Sequence, residues 1–499
     1  MAVPAEDSPP EAKKLPTGRV ARTARVGGLV TGQGVRWAGM RAANRVRSPE
    51  RAAVVERERT AALINELVDQ LGRMRGAAMK VGQMISMVEL DGLDDEQQDE
   101  LQRKLATLRD GVPPVPFARL EKLLRKELGA PLEKVFSQFD ERAFAAASIG
   151  QVHRATTLDG EDVVVKVQYP GVAEAVETDL RNAMLLVPLV KRLAPGLDAK
   201  AMAIEMRERI AEELDYELEA QSQRRIERLV RGHPFVSVPR VNTELSTRRV
   251  LVSEYIEGEG FETVRRADEA QRDRYGEIVF RFFFGLLYRD RIALGDPHPG
   301  NYLLRPDGRV CFLDFGFVRD VEAAHVAAEA AIALAVRERD GAGLKRALVA
   351  GGYLPSDRAG AVDADLALRF MRHATSWYAV PRERRFGGTR ERGGGDRAGG
   401  DQPHLEQFDS NQPLGERSAN SEPGAGERAA IRTQMNQFTV PPESMLIRRM
   451  HVMVAIVLQN LRAGADWGAI AAEYLHGAPA ATELGRAEAD FFSHRRATR

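Results

Sequence analysis

Two carboxylates and a carboxamide occur within one short stretch of the sequence. Asp296 is followed five residues later by Asn301, and Asp314 ends the next apolar segment, directly before Phe315-Gly316. Carboxylate and amide oxygens are ligands that suit Mg²⁺ on nucleotide phosphates. In phosphoryl transfer one loop aspartate faces the acceptor, while an asparagine and a second aspartate hold the metal. The spacing therefore predicts phosphoryl-transfer chemistry. The alternative is a loop in which Asp and Asn only form turns.

A short β-hairpin is predicted to bring two of these residues together. Tyr302–Leu304 and Val310–Leu313 are apolar strand segments, and Pro306-Asp307-Gly308 is a turn sequence between them. A hairpin returns the chain to its starting point. We therefore expect Asn301, before the first strand, to lie beside Asp314, after the second.

Lys166 is a charged residue inside an apolar segment. A small-residue turn over Ala145–Gly150 precedes a strand from Gln151, and a turn at Asp159-Gly160 leads into the strand Val163–Gln168. A lysine among valines costs free energy unless an anion accompanies its ammonium group. We therefore expect a phosphate or carboxylate partner. The alternative is an edge strand on which the lysine points to water.

Carboxylates for such a lysine occur in the predicted helix Met202–Val230. Its acidic run includes Glu213, Asp215 and Glu219, of which the last two are four residues apart and share a face. Acidic runs are usually solvated helix faces, and that alternative stays open. A second lysine in an unusual context, Lys80, favours the functional interpretation.

Lys80 lies on a long predicted amphipathic helix, Pro49–Met87. Gln83 is three residues further on the same face, away from the apolar stripe. Gly82 between them costs roughly 1 kcal/mol of helix stability relative to alanine. That cost makes sense where a backbone or a ligand approaches closely. The alternative is an ordinary polar face with a tolerated glycine.

Other elements are predicted from hydrophobic periodicity. Phe117–Leu128 is predicted to be a helix, and Phe235–Val241 and Arg249–Ile256 are predicted strands. The helix Arg274–Arg289 carries four phenylalanines, which are expected to form the core of a lobe. The Ala-rich segment after Val318 is predicted to be helical to about residue 349.

The composition and the lengths of the apolar runs argue against nucleic-acid binding, disulfide bonds within the chain and membrane-spanning helices. The 499 residues include 72 basic and 72 acidic ones, so no net charge steers the chain towards nucleic acid. Cys311 is the only cysteine, which excludes a disulfide within the chain and fits a reduced compartment. No apolar run reaches the roughly 18–20 residues that span a bilayer, since Arg281 interrupts Ile278–Tyr288. With no secretory pattern either, a cytoplasmic or peripheral membrane protein is expected.

Two segments have compositions unlike the rest. Lys13–Arg47 contains nine basic residues and no acidic one. It is either an arm that binds anionic lipid or a solvated basic tail. A transit peptide fits less well, because acidic residues precede this segment. Phe386–Arg428 has hardly any apolar residues and is predicted to be a disordered insertion.

Six motifs in this order resemble those of the UbiB/ADCK (AarF-type) family of atypical kinase-like proteins. The resemblance covers about Lys14–Val349, with a weaker match at Pro441–Leu461. The motifs are KVGQ at Lys80–Gln83, AAASIGQVHRA at Ala145–Ala155, VVVKVQYPG at Val163–Gly171, ELDYELEA at Glu213–Ala220, GDPHPGN at Gly295–Asn301 and LDFG at Leu313–Gly316.

The resemblance implies a role for each matching residue. Lys166 would bind phosphate and pair with Glu219, Asp296 would be the catalytic aspartate, and Asn301 and Asp314 would hold Mg²⁺. Further nucleotide contacts would come from a loop over the phosphates and from a hinge beside adenine. These residues are Ala145, Ala146, Ala147, Ser148, Ile149, Gly150, Val152, Glu254, Tyr255 and Ile256.

The resemblance also implies a regulatory contact. Lys80 and Gln83 would lie over the active site and meet Glu213 and Asp215. In the family, the helices that carry the first motif cover the surface on which a protein kinase binds its polypeptide substrate. ATP hydrolysis or phosphorylation of a small molecule is therefore implied, rather than ordinary protein phosphorylation.

The implied fold class is α+β, a two-lobed protein-kinase-like fold with an N-terminal helical extension packed over the active site. The expected divisions are a basic arm (1–48), the helical extension (49–130), the N-lobe (131–257), the C-lobe (258–385), the insertion (386–428) and further C-lobe helices (429–499).

The implied function is that of an ATP-binding, Mg²⁺-dependent ATPase or small-molecule or lipid kinase. It would support isoprenoid quinone (ubiquinone-type) or related lipid metabolism. The alternative is a non-catalytic, nucleotide-gated scaffold for a membrane-associated biosynthetic complex. The expected partners are ATP, anionic membrane lipid, a prenylated intermediate of the quinone pathway and proteins of the complex, with no nucleic acid.

Overall fold

The computed structural model describes residues 115–146, 149–178, 180–181, 211–295, 297–386, 437–439 and 441–497, with scattered residues between 32 and 66. Most of the basic arm and of the predicted insertion lies outside these ranges. Five predicted site residues also lie outside them: Lys80, Gln83, Ala147, Ser148 and Asp296.

The elements that build the described part are named in chain order. The helices are α1 (Phe117–Leu128), α2 (Tyr216–Val230), α3 (Phe261–Arg265), α4 (Glu269–Tyr288), α5 (Ala323–Glu338), α6 (Gly341–Ala350), α7 (Ala364–Ala379), α8 (Pro442–Leu461), α9 (Trp467–His476) and α10 (Glu483–Ala497). The strands are β1 (Phe136–Phe139), β2 (Ala145–Ala146), β3 (Gly150–Thr157), β4 (Asp162–Gln168), β5 (Val236–Ser237), β6 (Val250–Glu254), β7 (Glu259–Gly260), β8 (Ile292–Leu294), β9 (Tyr302–Leu304), β10 (Val310–Phe312), β11 (Val318–Asp320), β12 (Glu383–Arg385) and β13 (Gly464–Asp466).

The chain divides into two compact units. The first comprises Met1–Leu218 and Asn242–Ser253, and the second comprises Glu219–Val241 and Glu254–Arg499. The sequence placed Glu219–Val241 in the N-lobe. In the structure these residues group with the second unit, because Ile226 and Val230 belong to its buried apolar cluster.

A five-stranded sheet organises the first unit. Its order is β1-β3-β4-β6, and β2 pairs with β3. Alternate residues of β4, such as Val165, are buried against Leu120 and Leu124 of α1. Helix α1 has the predicted bounds and ends at Gly129, whose φ of 71° is the left-handed conformation that glycine adopts easily. The prediction of this helix is confirmed.

Strand β4 lies in the interior of the sheet, between β3 and β6. The alternative in which Lys166 points to water from an edge strand is therefore wrong. Lys166 lies on the face opposite Val165 and Val167, which are buried in the core. This alternation explains how a lysine fits into a run of valines, because successive side chains of a strand face opposite sides.

The prediction of one continuous helix through the acidic run is wrong. Residues 211–213 are helical, Leu214 and Asp215 leave the helix, and α2 begins at Tyr216. The Asp215 side chain accepts a hydrogen bond from the backbone N–H of Glu217, as a residue preceding a helix does. The Gln168 side chain donates to the carbonyl group of Leu214. Both contacts favour the break.

Helix α4 forms the centre of the second unit. The Asp268 side chain caps its first turn by accepting from the N–H of Gln271. The phenylalanines of α4 are buried, as predicted, and Phe282 stacks on Phe312 of β10 with ring centres 3.6 Å apart. The sheet of this unit has the order β5-β10-β9-β7. Through the contact of Phe282 with Phe312, the helix packs against the predicted hairpin.

The segment after Val318 is not one helix as predicted. It begins with β11, which pairs with β8, and it then forms α5 and α6. The two helices separate at Arg339, which has a φ of 60°, and the Asp340 side chain caps α6. Within the described residues, no helix is long and apolar enough to cross a membrane.

Candidate active site

The hairpin brings Asn301 and Asp314 together, as its sequence predicts. Strands β9 and β10 pair antiparallel, with Tyr302 opposite Phe312. The N–H of Leu313 donates to the carbonyl group of Asn301 over 3.0 Å. The Asn301 amide nitrogen then donates to Oδ2 of Asp314 over 3.3 Å. One amide and one carboxylate therefore lie side by side at the open end of the hairpin.

Local hydrogen bonds order the turn before Asn301 and the side chain of Asp314. The residues before β9 form a single 3₁₀ turn, Pro299–Asn301, in which the ring nitrogen of His298 accepts from the N–H of Gly300. On the other side, Oδ1 of Asp314 accepts from the N–H of Gly316 over 2.9 Å. Each carboxylate oxygen of Asp314 thus has one protein donor and retains a lone pair for a further ligand.

Glu219 lies beside the same loop. A methyl group built on Gly316 would lie 3.9 Å from the carboxylate carbon of Glu219 and 3.3 Å from Oδ1 of Asp314. Only 6% of the surface of Glu219 is exposed. The second unit therefore brings three predicted site residues to one place, namely Asn301, Asp314 and Glu219.

The peptide that precedes Asp296 is held by close packing. The N–H of Gly295 donates to the carbonyl group of Phe317 over 2.9 Å. A Cβ atom on Gly295 would lie 1.7 Å from the Phe317 ring, so no larger residue fits. Phe317 was not predicted as a site residue. The glycine directly before Asp296 was the available signal.

Lys166 occupies a defined environment in the first unit. It stands opposite Val152 in the β3–β4 pair. Its ammonium nitrogen lies 4.9 Å from the centre of the Tyr216 ring, within the range of a cation–π contact. Tyr216 is 1% exposed and was not predicted as a site residue. Tyr216 lies between Asp215 and Glu219, and an aromatic residue within an acidic run was the signal for it.

The two ends of the small-residue segment belong to paired strands, β2 and β3. Ala145 and Ala146 pair with Val152 and Gln151, and Ile149 is buried. Covering the phosphates remains a predicted role for this segment, because its tip at Ala147 and Ser148 lies outside the described residues.

We expect Gly150→Ala to destabilise the first unit by about 1–3 kcal/mol, as other overpacked substitutions do. A Cβ atom there would lie 2.3 Å from the carbonyl oxygen of Val167, a backbone atom that cannot rotate away. Gly260→Ala is the matched control, since nothing lies within 4 Å of its Cβ position. Thermal unfolding measures both. Equal melting temperatures for the two variants would contradict the close approach.

The predicted hinge is partly engaged within the fold. The N–H of Glu254 donates to the carbonyl group of Arg240 over 2.8 Å, and its carboxylate accepts from the same arginine. The N–H of Glu254 is thus already hydrogen-bonded within the fold, and its contact with adenine stays a prediction. Roles for its carbonyl group and for the backbone of Tyr255 and Ile256 stay predictions.

Of the predicted regulatory contact, the structure describes Glu213 and Asp215 but not Lys80 and Gln83. Oδ2 of Asp215 lies 3.3 Å from Nε of Arg248, so Asp215 has a cationic partner other than Lys80. Glu213 lies in the helical turn before the break. Contacts of both residues with Lys80 and Gln83 stay predictions, as does the pairing of Lys166 with Glu219.

The donor set at the hairpin fits Mg²⁺ bound to a nucleotide. Mg²⁺ prefers oxygen ligands and is usually held by one or two carboxylates together with substrate phosphates. Asp314 supplies a carboxylate, and the hydrogen bond to Asp314 directs the amide oxygen of Asn301 away from that carboxylate. The described residues contain no group of three or more His, Cys, Asp or Glu side chains suited to a metal.

Comparison with known proteins identifies the domain. Residues 107–348 match the family model of the ABC1 atypical kinase-like domain. The chain is 31% identical over 312 residues to "Atypical kinase COQ8B, mitochondrial" of Danio rerio, covering 62% of this chain and 49% of the relative. It is 30% identical over 314 residues to "Atypical kinase COQ8, mitochondrial" of Saccharomyces cerevisiae, covering 62% and 61%. The chain thus spans about half to three-fifths of the length of these relatives.

A solved structure shows the same fold. It is the Rv3197–erythromycin complex from Mycobacterium tuberculosis, with a TM-score of 0.57 and 29% sequence identity. The match covers 84% of this chain and 98% of the other. The predicted family and the predicted kinase-like mixture of helix and sheet are confirmed.

Proposed function

Because residues 107–348 place the chain in the ABC1 atypical kinase-like family, we propose that it binds ATP with Mg²⁺ and transfers the γ-phosphoryl group to water or to a small molecule. The observation that carries this proposal is the contact between Asn301 and Asp314, with Glu219 beside the same loop. If Asn301 and Asp314 only formed turns, the buried carboxylate of Glu219 would not be needed beside them. A phosphoryl-transfer site needs it, because the helix glutamate must be placed with the metal-binding aspartate.

Each residue has a proposed task. Asn301 and Asp314 would present oxygens to the metal. The amide nitrogen of Asn301 faces Asp314 in the structure, so sharing one metal requires this amide to turn its oxygen to that side. Lys166 offers its ammonium group to phosphate. Asp296 faces the acceptor, and the tight packing of Gly295 on Phe317 fixes the chain direction just before it. When bound, the metal would neutralise part of the negative charge of the phosphates.

The proposed setting is the metabolism of isoprenoid quinones or related lipids. The support is the likeness to the atypical kinases COQ8B and COQ8, which are mitochondrial proteins. That location belongs to the relatives. For this chain we propose contact with anionic lipid through the basic arm and with a prenylated intermediate. Lys80 and Gln83 would restrict access to the site.

A turnover experiment tests the proposal. Full-length protein is incubated with γ-labelled ATP, with and without Mg²⁺, anionic liposomes and a prenylated phenol, and both inorganic phosphate and labelled lipid product are measured. Release of phosphate indicates an ATPase, and a labelled lipid indicates a kinase. Tight Mg²⁺-dependent binding without either product would instead support the nucleotide-gated scaffold.

A further inference from the structure

Helix α10 contacts the end of α2 that is farthest from Glu219. The guanidinium group of Arg495 donates hydrogen bonds to the backbone carbonyl groups of Arg228 and Leu229, in the last turn of α2. The last carbonyl groups of a helix have no partner within the helix. A cation at this end also interacts favourably with the helix dipole. Arg495 therefore caps α2 from a different helix.

Aromatic packing extends this contact to the turn after α2. The rings of Phe491 and Phe492 lie 4.9 and 5.8 Å from the ring of His233, centre to centre. Burial lowers the pKa of His233 to about 3, and the charges of Arg289 and Arg281 act in the same direction. The imidazole is therefore neutral at physiological pH and packs as an aromatic ring.

Buried ionic contacts anchor α10 to the core of the second unit. Glu488 of α10 is 6% exposed. Its two oxygens accept from Arg289 over 2.8 Å and from Arg281 over 3.3 Å; Arg281 belongs to the core helix α4, and Arg289 directly follows that helix. The Arg289 guanidinium also lies 3.6 Å from the centre of the Phe492 ring. Helix α10 is thus fixed to α4 on one side and to α2 on the other.

The rest of α2 is held along its length. The side chain of Gln223 donates to the carbonyl group of Pro239 over 2.8 Å. Arg225 donates to both carboxylate oxygens of Asp320, on the strand that follows the Asp314 loop. Glu219 lies about 15 Å from the capped end, at 1.5 Å per helical residue. Because Gln223 and Arg225 lie between the two ends, a rigid helix released at Arg495 would tilt about these contacts and displace the Glu219 carboxylate beside Gly316.

We propose that Arg495 is a positioning residue for Glu219: helix α10 clamps the carboxyl end of α2 and thereby places the Glu219 carboxylate at the Asp314 loop. The proposal rests on the proposed function, in which Glu219 is part of the phosphoryl-transfer site. In this proposal the contact between α10 and α2 controls turnover from a position remote from the nucleotide. Anything that releases α10 from α2 would lower turnover without touching a residue that binds ATP.

The test compares Arg495→Ala with Arg495→Lys and with Arg486→Ala, a matched control on an exposed position of the same helix. We expect Arg495→Ala to raise hydrogen exchange of the amides at 219–223 about 10-fold, the loss expected for hydrogen bonds to a charged group. It should lower kcat about 10-fold or more, because small misplacements of catalytic groups have large effects. Arg495→Lys should restore part of both, and Arg486→Ala should change neither.

A double substitution separates positioning from general stability. In a Glu219→Gln background, Arg495→Ala should cause no further loss of turnover, since it acts through Glu219. A further 10-fold loss in that background would overturn the proposal, and so would unchanged exchange at 219–223. If the wild type has no turnover, the proposed function fails. Exchange at 219–223 still decides in that case whether Arg495 orders this end of α2.

Discussion

Asp314→Asn is expected to lower Mg²⁺-dependent ATP turnover by at least about 100-fold, the size of effect seen when one group that stabilises developing charge is removed. Asparagine keeps the shape of the side chain, and its oxygen can still accept from the N–H of Gly316. The substitution removes the negative charge that would hold the metal beside Asn301. The fold should remain intact, so the loss reports on metal binding.

Asp307→Asn provides the matched control for this substitution. Asp307 belongs to the same hairpin but lies at its turn, where it pairs with Arg309 over 2.7 Å at a partly exposed site. Such pairs contribute roughly 0–1 kcal/mol. We expect normal turnover from Asp307→Asn. Equal activity of wild type and Asp314→Asn, or equal loss in the two variants, would contradict the assignment of the metal site.

Arg281→Met is expected to destabilise the second unit by about 3–5 kcal/mol, the usual cost of removing one partner from a buried ionic network. The Arg281 side chain is completely buried. It donates to Glu277 over 2.7 Å, to Glu473 over 2.9 Å and to Glu488 over 3.3 Å. Methionine fills similar space but leaves these carboxylates buried without that cation.

Urea unfolding followed by tryptophan fluorescence measures this change, because Trp377 and Trp467 both lie in the second unit. The control is Arg265→Met, which removes a half-exposed partner of Glu262 on a short helix. That substitution should cost less than about 1 kcal/mol. A loss for Arg281→Met as small as for Arg265→Met would show that the network contributes little to stability.

The parts of the site that depend on neighbouring residues were predictable. Asn301 and Asp314 meet because a turn sequence joins two short apolar strands, so local rules suffice. Lys166 was predicted as unusual because its neighbours are valines. The family motifs then indicated which distant segments belong to the same site, although spacing alone does not fix their arrangement.

The parts that depend on distant residues were not predictable. Arg281 looked like an interruption of an apolar run, because its partners Glu473 and Glu488 lie about 200 positions away. The break before α2 reflects contacts of Leu214 and Asp215 with Gln168 and Arg248, and helix periodicity does not contain these contacts. Tertiary hydrogen bonds decided both cases.

The central claim is that Asn301 and Asp314 together hold Mg²⁺ on ATP. The most direct measurement is the affinity of the full chain for ATP as Mg²⁺ is titrated, in wild type, Asp314→Asn and Asp307→Asn. We predict that Mg²⁺ raises the ATP affinity of wild type and of Asp307→Asn. The ATP affinity of Asp314→Asn should not change with Mg²⁺. The same Mg²⁺ dependence in all three proteins would contradict the claim.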